Sequence, residues 1–197
     1  MISWFFIGLV ITILLTPGPT NTLLASSGIQ VGLRRSLLLI PAEAVGYIIA
    51  ISAWGILIGK VSATLPALPI FLKLLSAAYI VFLAIKLWRT ANQEMALNQP
   101  TIRPRELLCA TLLNPKALLF ASAIFPVAAW QNQEIYMTHM GSCVGLILPI
   151  ALFWISVGAM LATNKVTWLS QSKLQRTASV VLMAFAIPIS YSALINL

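Results

Sequence analysis

Acid is scarce in this chain of 197 residues: it has four glutamates and no aspartate, and Glu43 alone lies inside a long apolar run. A carboxylate at the centre of a membrane helix costs about 3 kcal/mol on insertion scales, so one that is kept there faces a cavity, a partner or a proton. Lys116, embedded in LLNPKALLF, is a cation in a comparable setting, and Lys73 in FLKLLSAAYI is a second. A buried acid and a buried ammonium can exchange a proton, or meet the amine and carboxylate of a small zwitterion. Lys116 is the favoured partner because it adjoins a helix breaker. The bland readings are a structural ion pair, or long side chains reaching out to the interface. Tyr47 lies four residues after Glu43, hence on the same helix face.

Two breakers interrupt the apolar runs. TPGPTN contributes Thr16, Pro17, Gly18, Pro19 and Asn21, and NPK contributes Asn114, Pro115 and Lys116. Each proline lacks an N–H and frees a carbonyl. Irregular backbone at membrane depth survives only when buried in protein or lining a wet cavity, so paired breaks mark a candidate solute site. Thr16, Thr20, Asn21 and Asn114 can serve a solute or repair the freed backbone; the residues leave both uses open.

These groups need helices to position them. The chain is 60% hydrophobic and 8% charged, against about 25% charged in a typical soluble domain. Six apolar segments lie at about 3–26, 37–59, 67–88, 107–129, 137–162 and 177–196. Each is long enough to span a core that takes roughly 20 residues per helix. Helices are expected because hydrocarbon satisfies no backbone group, and the alternation of barrel strands is absent. The N-terminal run MISWFFIGLVITILL, with no basic residue before it, reads as a retained first span.

Charge sets the orientation. Arg34 and Arg35, then Lys86, Arg89, Arg103 and Arg105, then Lys165, Lys173 and Arg176 fall around the odd loops, whereas the even loops offer only Lys60. Odd loops are expected in the cytoplasm and both termini on the outer, periplasmic side of an inner membrane. Trp4, Trp54, Trp88, Trp130 and Trp168 fall near segment ends, at headgroup level, and Trp154 is the mid-span exception.

The polar stretch at about 90–106 divides a single transmembrane domain, 1–197, into halves of three helices, about 1–90 and 107–197. PTNTLLASS at 19–27 and PKALLFASA at 115–123 are identical at four of nine positions, and each contains its half's breaker. An odd number of spans per half gives two inverted repeats, so the expected fold is all-α, with broken first and fourth helices.

Other classes find little support. A net charge of +8 follows from interfacial arginines and lysines and calls for lipid, not nucleic acid. Cys109 and Cys143 form no CxxC and read as small buried hydrophobes. His139 stands without nearby acids, so no metal site is expected, and neither an enzyme motif nor a cofactor motif is present. Ser76, Ala77, Ala78, Gly141, Gly145 and Gly158 are small enough for close helix packing, within the chain or across a homodimer.

TPGPTN, Gly32 with Arg34 and Arg35, FLKLLSAAYIVFLA with Lys73 and Tyr79, and LLNPKALLF resemble the LysE/RhtB type of amino-acid exporter, in the same order along about two-thirds of the chain. The resemblance implies a six-helix secondary exporter of an amino acid or related metabolite, driven by proton or ion exchange. It also implies that Pro17, Gly18, Pro19, Asn21, Asn114, Pro115 and Lys116 are motif positions. In the second span the chain departs from the family, with Ala42 in place of a glycine and Tyr47 in place of an acid, while Gly46 is retained. Glu43, one turn away, stands in for the missing acid. The rival readings are a non-transporting membrane scaffold and an exporter of another small solute.

Overall fold

The computed structural model describes residues 2–61, 65, 67–91 and 102–162, with 176, 179, 180, 183, 184, 186, 187 and 191; the side chains of 61, 68, 69, 73, 76, 83, 87 and 90 lie outside the description. All regular structure among these residues is helical: α1 Trp4–Leu15, α2 Pro19–Ser36, α3 Leu39–Val61, α4 Leu68–Thr90, α5 Pro104–Leu112, α6 Pro115–Leu119 and α7 Gln133–Ala162, with a π turn at Phe120–Ile124 and a 3-10 turn at Val127–Trp130. Most of the sixth segment, the centre of the linker, Trp168 and the side chains of Lys73 and Ser76 fall outside the described residues.

Among the described residues two helices, Leu39–Lys60 and Gln133–Ala162, are long and apolar enough to cross a membrane. Two bent pairs would bring the number to four if each is one span: α1 with α2, at 56°, and α5 with α6 and the π turn, at 46°. Both bends fall at the expected breakers. The first broken helix runs further than expected, to Ser36 rather than about residue 26. Its end carries a second bend at Gly32, whose φ of 78° is a left-handed conformation that favours glycine. Ser36 Oγ donates to the Gly32 carbonyl at 2.9 Å and pairs with Ser27 Oγ at 2.8 Å, tying the last turn back across the bend.

Close helix approach is bought with missing Cβ atoms. A Cβ on Gly28 would lie 2.2 Å from the Ile155 carbonyl, and one on Gly158 1.9 Å from that of Ala25, so α2 and α7 touch backbone to backbone. Gly46 receives Thr111 of α5, and Gly55 and Gly59 form a notch for the Trp130 ring. Gly158 thus packs within the chain, whereas a Cβ on Gly141 or Gly145 would meet nothing within 4 Å among the described residues.

The apolar core gathers Leu9, Val10, Leu24, Ile51, Phe120, Ile147 and Ile155 from α1, α2, α3, the π turn and α7. One expectation is corrected. Cys109 is exposed on the short helix α5; Cys143 is buried, as expected. Trp130 does stand at a segment end, the last residue of the 3-10 turn, and its half-buried side chain packs against the glycines of α3. Trp4 and Trp88 are exposed and Trp154 is buried, its Nε1 without an acceptor among the described residues.

Candidate functional site

The first break is repaired by one side chain. α1 ends where Pro17 and Pro19 withdraw two donors, and Asn21 spends both amide hydrogens on the exposed carbonyls, Leu14 at 2.6 Å and Thr16 at 2.8 Å. Asn21 is therefore committed to backbone, and Thr16 Oγ1 likewise donates to the Thr12 carbonyl at 2.7 Å. Pro19 opens α2, where its missing N–H is no loss.

Asn114 closes the second break differently. Its Oδ1 accepts from the Lys116 N–H at 3.0 Å and caps α6, with Pro115 in the first turn. Its amide nitrogen is left to donate to Tyr47 Oη at 3.2 Å and, more loosely, to Thr20 Oγ1 at 3.4 Å. One asparagine thus joins α2, α3 and α6.

Lys116 crosses from the second break to the first. Its ammonium donates to the Thr16 carbonyl at 2.6 Å, and its Cε and Nζ fill the place a Cβ on Gly18 would approach to 3.2 Å. Gly18 itself has an extended φ of −160°, so its bare Cα serves space rather than conformation. Glu43 completes the group, with Thr20 and the Lys116 charge both acting on its carboxyl group and Tyr47 beside it. The buried acid and cation lie within electrostatic reach of each other without forming an ion pair. Glu43 is 3% exposed and Lys116 1% exposed, in a chain whose described residues bury no other charged side chain.

The sequence-selected residues thus divide. Thr16 through its carbonyl, Gly18, Glu43, Tyr47, Asn114 and Lys116 converge, whereas Pro17, Pro19 and Asn21 shape the break. Pro115 faces the other way, with Tyr79, into an apolar cavity of about 200 Å³ between α4 and α6. Thr20, for which the sequence left both a solute role and backbone repair open, accepts from the Asn114 amide within the group.

Phe120 was not singled out in the sequence. Its ring packs edge-on against Tyr47 at 6.0 Å, held by a π turn whose Phe125 N–H bonds the Phe120 carbonyl at 2.8 Å. Beyond it Phe125 stacks on Trp130 at 5.4 Å and packs against Phe6 and His139, so an aromatic layer follows Phe120. The pair Gly55 and Gly59 was the available signal for Trp130, a small residue every fourth position; the π turn left none. His139 sets Nδ1 2.8 Å from the Ile135 carbonyl and packs on Phe6. Among the described residues no group of three or more His, Cys, Asp or Glu could hold a metal.

Comparisons with known proteins extend this picture. A cysteine/O-acetylserine efflux protein of Klebsiella pneumoniae is 36% identical over 104 residues, 53% of this chain and 51% of that protein. An uncharacterized membrane protein of Vibrio cholerae is 32% identical over 120 residues, 57% of each chain. The aligned stretches cover just over half the length of these curated relatives. No solved structure matches. The family model for LysE type translocators matches residues 11–193, spanning both breaks and every residue of the buried polar group. The chain belongs to the LysE type translocator family.

Proposed function

We propose that the chain exports an amino acid, or a metabolite with the same amine and carboxylate, across the bacterial inner membrane in exchange for a proton. The observation that carries this reading is the enclosed pair Glu43 and Lys116 at the meeting point of two broken helices. The naming of the Klebsiella relative for cysteine and O-acetylserine efflux supports a small amino-acid-like cargo.

In this mechanism the substrate carboxylate takes the Lys116 ammonium, with Thr20 and the Asn114 amide as neighbouring donors, and the substrate amine takes the Glu43 carboxylate. Both protein charges are then matched by the cargo rather than left bare in hydrocarbon. A proton arriving at Glu43 from outside cancels its charge, weakens its hold on the amine and releases the substrate outward. After the site reopens inward, Glu43 loses that proton to the cytoplasm and accepts the next amine. The aromatic layer of Phe120, Phe125 and Trp130 is the outer barrier of this cycle.

The wider architecture belongs to the same proposal: six spans in two inverted repeats, both termini periplasmic. The bends of 56° and 46° at corresponding strings of the two halves support it. Gly141 and Gly145 leave room on α7 for a homodimer contact.

The test is efflux of a panel of preloaded labelled amino acids from cells expressing the protein, Glu43→Gln or Lys116→Met, with and without a proton uncoupler. Uncoupler-sensitive efflux of one solute class is expected, falling at least tenfold in both variants at equal membrane levels. Full-rate efflux by Glu43→Gln, with an unchanged pH profile, would remove the proton from Glu43.

A further inference from the structure

A cleft of about 280 Å³ opens between Ile85, Trp88 and Arg89 on α4 and Ser179, Val180 and Met183 opposite. Its two walls are joined: Ser179 is buried and donates its hydroxyl to the Ala84 carbonyl at 2.6 Å. At the mouth the Arg176 guanidinium lies over the Trp88 ring, 5.5 Å from the centroid, which orients it without neutralising it.

The walls repeat one pattern. On α4, Ile85 and Arg89 are one turn apart, and opposite them Arg176, Val180 and Met183 follow at spacings of four and three. Each wall therefore offers an apolar floor and an arginine at one end. Arg89 sits in the last turn of a 23-residue helix about 34 Å long, at a position the proposed topology would put at headgroup level. Among the described residues no acid lines the cleft.

We propose that this cleft binds one anionic phospholipid, its phosphate between Arg89 and Arg176 and an acyl chain along Ile85, Val180 and Met183. A guanidinium donates two parallel hydrogen bonds to phosphate oxygens, and two of them at one mouth favour a headgroup with net negative charge. A choline headgroup carries its own cation toward the arginines and is disfavoured. The site is separate from the Glu43 and Lys116 group, so it stands or falls independently of the transport reading.

The experiment uses the purified full chain in neutral detergent, with phosphatidylglycerol or phosphatidylcholine added at equal mole fraction. Thermal unfolding and retained lipid by native mass spectrometry are the readouts. Phosphatidylglycerol is expected to raise the melting temperature and to persist as a bound adduct, and phosphatidylcholine to do neither. In R89Q/R176Q binding becomes roughly thirty-fold weaker. Met183→Trp, which fills the floor and leaves both arginines, loses the shift as well. Equal shifts from the two lipids, or a phosphatidylglycerol shift that survives in R89Q/R176Q, would overturn the assignment. Should that double variant fail to fold, a shift retained by Met183→Trp would overturn it alone.

Discussion

Asn21 and Asn114 stand beside prolines in the two breaks, yet their amides do different work. Asn21 gives both hydrogens to backbone carbonyls, whereas Asn114 caps with its oxygen and keeps its nitrogen for Tyr47 and Thr20. Asn21→Leu is expected to cost about 1–3 kcal/mol, because it strands the Leu14 carbonyl away from water and removes one of two donors to Thr16. A lower melting temperature of the purified protein checks this. The distinction follows from which carbonyl or hydroxyl lies within about 3 Å, and residue type is silent on that. The same holds at Glu43 and Tyr47: a shared helix face was legible from their spacing, while their common neighbour Thr20 comes from another helix.

At the scale of elements, glycine decides which helices touch. Gly28→Ala and Gly158→Ala each push a methyl group into backbone of the facing helix, which has no rotamer to yield. Overpacking of this kind costs about 1–3 kcal/mol, so both variants should melt earlier than the parent. Gly141→Ala, where a Cβ meets nothing within 4 Å among the described residues, is the matched control and should melt unchanged. Thermal unfolding of the three in one detergent checks the ranking. The helix breakers were legible in TPGPTN and NPK because proline chemistry is local. The π turn at Phe120–Ile124 was not, since its extra residue is set by packing against α1, α3 and α4.

Across the whole molecule, the proposed topology predicts labelling from two sides. In a background with Cys109→Ser and Cys143→Ala, Gln133→Cys should react with a membrane-impermeant maleimide in intact cells. Arg35→Cys should react only after permeabilisation; both positions are exposed. Labelling in the reverse sense would invert the orientation and exchange the inward and outward steps of the proposed cycle, while leaving the buried polar group intact.

Composition and local chemistry determined that the chain is helical and membrane-embedded, because hydrocarbon leaves the backbone no other solution and each span carries its own hydropathy. The same sequence marked both breaks and the odd charges, Glu43 and Lys116, since a titratable group in an apolar run stands out wherever it later folds. Tertiary structure alone decided that Lys116 reaches over Gly18 to the Thr16 carbonyl, that Asn114 reaches Tyr47 and Thr20, and that Phe120 packs edge-on against Tyr47. Those contacts join residues up to 100 positions apart. They depend on how helices cross, and crossing is set by the packing of all the helices together rather than by any one stretch of sequence.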